Sequence, residues 1–276
     1  MSATLASLAF AMTMLTQVPP EAASADRDRQ DRLRFMKEKA AEFTLYRESA
    51  KEPLPLKEDP IVRFSIPERD NGVWDGATFL WLEGARPVAA LSLGIRRPDN
   101  GLFFEHTSFS STPLVCRRNE SAMWSPQTGG LLSQELEGAP APAATATGRL
   151  TQMRDLARRF SATCYWGTDV THLRLQPQPL YRYSDAKEGI LDGALFSMVV
   201  SNDPEMFVLL EAVADPMTGK PTWRYSLARM SSLKHTVNLD DKEVWSIIGF
   251  YRIPPAERKT GPYIEGRMGV YTPKAK

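Results

Sequence analysis

The sequence predicts an α+β fold made by internal duplication, because the same residues occur twice at a constant spacing of 117 positions. One block contains Asp75, Gly76, Ala77, Phe79 and Pro87, which recur as Asp192, Gly193, Ala194, Phe196 and Pro204. A second block contains Arg32, Leu33, Met36, Ala40 and Phe43, which recur as Arg149, Leu150, Met153, Ala157 and Phe160. Internal repetition over such a length indicates a structural unit that has been copied.

The pattern within each copy predicts its secondary structure. The apolar residues of the second block have helical spacing, and the region that follows it alternates apolar residues with turn signals, as strands do. We therefore expect two copies of a helix followed by four to five antiparallel strands, packed about a pseudo-twofold axis. A helix on one face of a small sheet lets both elements bury their apolar sides.

The first repeat is expected over residues 26–125. Its helix covers 26–47 and ends before Pro53 and Pro55, which cannot continue it. Strands follow at 61–66, 73–82, 88–95 and 102–110, and the pair 73–82 and 88–95 is expected to form a hairpin across a glycine-containing turn. A short closing element is expected at 123–125.

A linker and the second repeat complete the predicted domain organisation. Residues 126–146 are rich in Pro, Ala and Gly, a composition typical of linkers. The second repeat is expected over 147–250, with Thr147 as the helix N-cap and strands at 180–183, 191–200, 206–213, 223–230 and 244–250. Residues 251–276 are expected to form a loose C-terminal tail.

Residues 1–25 are interpreted as a signal peptide. An apolar run at 5–15 is too short to span a bilayer, and the small residues Ala23 and Ala25 fit a cleavage site after Ala25. The segment before the run contains no Lys or Arg, so a late start codon and a buried segment remain as alternatives. The predicted localisation is exported, either periplasmic or secreted, without stable membrane insertion once the signal is removed.

Composition and motifs restrict the function. The net charge is +1, so we expect no nucleic-acid partner. The chain contains no G-x-S-x-G, H-E-x-x-H, C-x-x-C or P-loop motif. We therefore assign no catalytic, cofactor-binding or metal-binding residue and expect no cofactor. The two cysteines, Cys116 and Cys164, could form a disulfide or remain as separate buried thiols.

Several residues could still contribute to a site. His106 follows Glu105 in a predicted strand, where neighbouring side chains point to opposite faces, and we interpret His106 as a core histidine. The recurring pairs Arg63/Arg182 and Asp75/Asp192 are interpreted as structural rather than ligand-binding. The same holds for Trp124/Trp245, and for the serine pairs 110–111 and 231–232, which have no base at a characteristic spacing.

Three stretches also carry a resemblance to known sequences. Residues 76–81 with Arg86 and Pro87, residues 177–183 and residues 191–196 are similar to blocks of a family of uncharacterised, predicted exported proteins from planctomycete bacteria. The resemblance covers most of the chain after residue 25. It implies export and no particular activity.

The leading hypothesis is an exported, non-enzymatic protein that binds an unknown small molecule or protein between the two repeats. The alternative is a cofactor-free hydrolase with a cluster around Glu105 and His106. A structural envelope component is a third possibility, which a flat surface with a large exposed apolar patch would indicate.

Overall fold

A computed structural model describes residues 20–66, 72–215 and 217–273, with side chains from residue 26 onward. Its helices are α1 (Pro20–Ala40), α2 (Ala146–Ala157) and α3 (Pro255–Arg258), with a 3-10 turn at Phe250–Arg252. The strands are β1 (Phe43–Arg47), β2 (Val62–Phe64), β3 (Val73–Glu83), β4 (Arg86–Arg96), β5 (Gly101–Ser108), β6 (Leu114–Arg118), β7 (Ser121–Trp124), β8 (Leu131–Glu135), β9 (Phe160–Trp166), β10 (Asp169–His172), β11 (Arg174–Leu175), β12 (Tyr181–Asp185), β13 (Ile190–Val200), β14 (Asp203–Ala214), β15 (Pro221–Arg229), β16 (Lys234–Leu239), β17 (Lys242–Ile247) and β18 (Tyr263–Val270).

The predicted pattern of a duplicated helix followed by four to five strands is wrong. The protein combines α and β structure and its sheets are antiparallel, but it is mostly β, with far more residues in strands than in helices. The strands of the described residues form four sheets. Sheet I has the order β18-β5-β4-β3-β2, sheet II the order β11-β13-β14-β15-β8 with β12 also paired to β13, sheet III the order β1-β6-β7, and sheet IV the order β10-β9-β16-β17.

Sheets I and II pack against each other through a central core. Leu80 and Ala90 of sheet I meet Leu195, Phe207 and Leu209 of sheet II in this core. Each of these side chains is buried to 1% exposure or less, and full burial of a leucine or phenylalanine side chain stabilises the fold by roughly 1.5–3 kcal/mol. The alternate residues of the same strands face outward, as the two-residue period of a strand requires.

The outward faces of sheets I and II are covered separately. Phe79, Trp81 and Leu91 of sheet I lie in a first core with residues of α1 and sheet III. Phe196 and Val208 of sheet II lie in a second core with residues of α2 and sheet IV. Each long sheet therefore needs a helix and a second small sheet to bury its outer face, which the helix-plus-one-sheet prediction did not provide.

Two strands outside the predicted repeats complete the long sheets. The segment predicted as a linker contains β8, which pairs with β15 in sheet II. The segment predicted as a loose tail contains β18, which pairs with β5 in sheet I along most of its length. Tyr263 and Tyr271 of the same segment are buried in the first core. Residues 251–273 thus pack mainly against the first part of the chain.

The recurring Asp-Gly residues occupy equivalent surroundings. Asp75 accepts hydrogen bonds from Arg32 and Arg63, and Asp192 accepts them from Arg149 and Arg182. These contacts fasten each helix to the sheet beneath it. A Cβ atom added at Gly76 would lie 2.4 Å from the Phe64 ring, and one added at Gly193 would lie 2.6 Å from the Tyr183 ring. Glycine is therefore needed at both positions because an aromatic ring lies directly on the strand.

The other predictions have mixed outcomes. Both long helices end earlier than the helical spacing suggested, because Phe43 and Phe160 begin strands. The N-cap of α2 is Thr145 instead of Thr147, and its side chain accepts a hydrogen bond from the Gly148 amide.

Most of the predicted signal peptide, residues 1–19, lies outside the described residues. Among the helices that the structure describes, none has the length and apolar character needed to cross a bilayer.

Candidate ligand-binding cleft

A cleft of about 370 Å³ opens at one end of the interface between sheets I and II. Residues of both sheets line it, and Met230 belongs both to its wall and to the central core. Among the residues that the structure describes, four carboxylates and one arginine contribute charged groups to the lining, namely Glu105, Asp203, Glu205, Glu265 and Arg96. We refer to this site as the carboxylate cleft. Its acids come from β5, β14 and β18, so chain topology rather than a local motif brings them together.

Two of the carboxylates share a hydrogen-bond donor. Glu105 and Glu265 are directly opposite each other on β5 and β18. The Tyr263 hydroxyl lies 2.5 Å from Glu105 Oε1 and 3.2 Å from Glu265 Oε2. Burial raises the pKa of Glu105 to about 8, and repulsion from the Glu265 carboxylate adds to the rise. Glu105 is consequently mostly protonated in the cleft at neutral pH.

A buried arginine shapes the wall of the cleft. Arg229 is 2% exposed and donates to the backbone carbonyls of Ser231, Leu233 and Ile248. Burial lowers the pKa of the Arg229 guanidinium. Because its donors are directed to these carbonyls, Arg229 holds the loop 231–233 in place and contributes positive charge behind the cleft rather than a group inside it.

An aromatic hollow of about 680 Å³ adjoins the carboxylate cleft. The two share Trp166, Ser232, Leu233 and Tyr251. Trp166 is 64% exposed and Tyr251 is 66% exposed, although both are large aromatic residues. The Tyr251 hydroxyl donates to Glu265, and burial together with that hydrogen bond raises the pKa of Tyr251 to about 12. Tyr251 therefore connects the acidic and the aromatic regions.

The structure separates Glu105 from His106. His106 is fully buried in the first core, where its ring lies 4.8 Å from the Phe43 ring and 5.4 Å from the Trp81 ring. Neither ring nitrogen of His106 has a hydrogen-bond partner among the residues that the structure describes. Burial lowers the pKa of His106 to about 3. Only Glu105 of the predicted pair reaches a cavity, as the alternation of side chains along a strand predicts.

The sequence analysis missed one serine–histidine contact. Ser231 Oγ lies 2.8 Å from His235 Nε2, and Ser231 lines the carboxylate cleft. Burial lowers the pKa of His235 to about 3, and the positive charge of Arg229 adds to this lowering. Within the described part of the chain, His235 Nδ1 has no partner that would orient the ring. A base with so low a pKa cannot accept a serine proton effectively near neutral pH.

The remaining candidate residues lie away from the cleft. The Arg63 and Arg182 guanidinium groups are engaged with Asp75 and Asp192 as described above. Trp124 is buried in the first core and donates from Nε1 to the Gly261 carbonyl. Cys116 in sheet III and Cys164 in sheet IV are both buried, and they form no disulfide with each other.

No family model, curated protein or solved structure matches this chain. The resemblance to the planctomycete family therefore stays a prediction. Across residues 20–66, 72–215 and 217–273 there is no group of three or more His, Cys, Asp or Glu side chains that could hold a metal ion.

Proposed function

We propose that this chain is an exported binding protein. It binds a small ligand whose positively charged amine lies in the carboxylate cleft. The observation that carries the proposal is the convergence of four carboxylates and one arginine on a cavity between two sheets. Cavities of about 300–1,000 Å³ with a few convergent polar groups are the usual form of small-molecule sites.

The electrostatics of the cleft favour a cation. Glu105 and Glu265 repel each other when both are ionised, and Glu105 avoids this cost by keeping its proton. A bound ammonium group would stabilise both ionised carboxylates. Binding at neutral pH should thus displace the Glu105 proton, so that the two equilibria are coupled.

The aromatic rings at the mouth of the cleft support the same ligand class. Trp166 and Tyr251 present exposed rings beside the carboxylates. Aromatic faces attract cations, and sites for organic ammonium groups use such rings. Both buried histidines have strongly lowered pKa values and cannot serve as general bases near neutral pH, which favours binding over hydrolysis.

Affinity for a simple amine should depend on pH through Glu105. For phenethylamine, measured by isothermal titration calorimetry, we expect affinity to rise between pH 6 and pH 8 as Glu105 loses its proton. The Glu105→Gln variant should bind about tenfold more weakly at pH 8.5, consistent with the loss of one charge-assisted contact, and should lose most of this pH dependence.

Two comparisons control this experiment. Glu135→Gln removes an exposed carboxylate on β8, outside the cleft, and should bind phenethylamine as the wild type does. The uncharged analogue 2-phenylethanol should bind far more weakly than the amine. Equal affinities for the alcohol and the amine in the wild type would refute the proposal of a cation site.

Export is the second part of the proposal, and its support is the apolar run at 5–15 followed by Ala23-Ser24-Ala25. When the full chain is produced in a Gram-negative bacterium, we expect the mature protein in the periplasmic fraction with Asp26 at its N-terminus. N-terminal sequencing checks this directly. A cytoplasmic protein that retains residues 1–25 would contradict it.

A further inference from the structure

The aromatic hollow carries charge opposite to that of the carboxylate cleft. Lys234 and Arg252 line the hollow, and both are exposed. Lys234 Nζ lies 4.8 Å from the centre of the Tyr165 ring. Among the described residues, neither Lys234 nor Arg252 forms an ion pair. Two cations without acidic partners at a concave surface provide a complement for an anionic group.

The hollow also contains apolar side chains. Leu233, Ile248 and the Trp166 ring line the hollow, and Ile248 is 53% exposed. Exposed apolar side chains grouped in a concavity indicate a contact surface rather than scattered surface residues. Trp166 and Leu233 line both cavities, whereas the carboxylates line only the cleft and the two cations only the hollow, so the apolar and aromatic residues join the two charged regions.

We infer that the ligand is a short peptide with free termini, whose amino terminus enters the carboxylate cleft and whose carboxylate lies against Lys234 and Arg252. The apolar section between them would contact a side chain of the peptide. This inference rests on the proposed function, because it places the ligand's ammonium group in the same cleft. A peptide has an ammonium group for the carboxylates, a side chain for the apolar residues and a carboxylate for the two cations. A simple aromatic amine has groups for only the first two of these regions.

The test compares three forms of one tripeptide, alanyl-phenylalanyl-alanine, by isothermal titration calorimetry. The form with free termini should bind most tightly. Amidation of the C-terminus should weaken binding about fivefold, the effect of losing one partly exposed ion pair. Acetylation of the N-terminus should abolish measurable binding, because it removes the charge that the carboxylate cleft recognises.

A double variant identifies the residues that hold the carboxylate. The Lys234→Gln/Arg252→Gln variant should bind the tripeptide with free termini about fivefold more weakly than the wild type does. The variant should bind the amidated tripeptide with the same affinity as the wild type. The matched control is Lys220→Gln/Lys242→Gln, which removes two exposed lysines outside both cavities and should change neither affinity.

The outcomes separate this inference from the proposed function. If phenethylamine binds to the wild type but amidation and the Lys234→Gln/Arg252→Gln variant leave tripeptide affinity unchanged, the peptide inference is overturned and the amine site remains. If neither phenethylamine nor any form of the tripeptide binds to a folded protein, both are overturned. Circular dichroism of each variant establishes that it is folded.

Discussion

Replacing Asp75 by alanine is expected to lower the free energy of unfolding by about 3–5 kcal/mol, because it leaves two arginines without their shared carboxylate. Asp75 is 5% exposed, and its Oδ2 lies 2.6 Å from both Arg32 Nε and Arg63 Nη2. The cluster links α1, β2 and β3, so its loss also removes a connection between the helix and sheet I. Urea denaturation measures the change.

Two further variants test whether the charge cluster is responsible. Asp192→Ala should lower the free energy of unfolding by a similar amount, because Arg149 Nε and Arg182 Nη2 lie 2.9 Å and 2.6 Å from Asp192 Oδ2. Asp155→Ala removes an exposed carboxylate paired with Arg158 and should cost less than about 1 kcal/mol. An Asp75→Ala variant as stable as Asp155→Ala would show that the buried cluster contributes little.

The sequence was informative where structure depends on neighbouring residues. The long hairpin of β3 and β4 was predicted within a few residues at each end, because its alternation and its glycine-containing turn are local signals. The structural interpretation of Asp75 and Asp192 also followed from the residues alone. The two small sheets were not predicted, since short strands such as β6 and β16 give weak periodic signals.

Long-range pairing was the main limit of the sequence analysis. The segment of β8 lies between Gly129-Gly130 and a Pro- and Ala-rich stretch, and this composition indicated a linker. The segment of β18 contains two glycines, which weaken a strand prediction. Each of these strands forms by pairing with the edge of a sheet whose residues are distant in the sequence. Local periodicity does not reveal such pairing.

The candidate site was predictable only in part for the same reason. The sequence identifies Glu105, but its partner Glu265 lies on β18, in the segment for which the sequence predicts a loose tail. Glu205 and the Ser231–His235 contact also depend on tertiary structure. Alternation along β5 did predict that Glu105 and His106 would face different surroundings.

Because His106 lies in the apolar core and not in the cleft, replacing it by leucine is expected to raise the free energy of unfolding. The difference from the wild type should increase as the pH falls. His106 is enclosed by Phe43, Trp81, Phe104 and Trp124, and within the described residues its nitrogens have no hydrogen-bond partner. A buried polar group without a partner costs about 1–3 kcal/mol, and leucine has no such group. Leucine already occupies the corresponding place in sheet II, where Leu227 lies opposite Val208 as His106 lies opposite Leu91 in sheet I.

The pH dependence follows from the lowered pKa of His106. Burial holds this pKa at about 3 in the folded protein, whereas an unfolded chain binds the proton below pH 6.5. Below that pH the unfolded state of the wild type gains a proton that the folded state does not, so the free energy of unfolding falls. His106→Leu removes this loss, and its advantage should increase by about 1.4 kcal/mol per pH unit, reaching about 3 kcal/mol near pH 4 in addition to the effect at neutral pH.

Urea denaturation of the wild type and the variant between pH 7 and pH 4 measures this difference, with His172→Gln as control because His172 is exposed. A catalytic or ligand-binding imidazole would behave differently: its replacement would reduce binding of phenethylamine, and stability would change little with pH. Since the carboxylate cleft lies on the other face of β5, His106→Leu should leave that affinity unchanged. A loss of both stability and amine affinity would place the imidazole in the site and favour the hydrolase hypothesis.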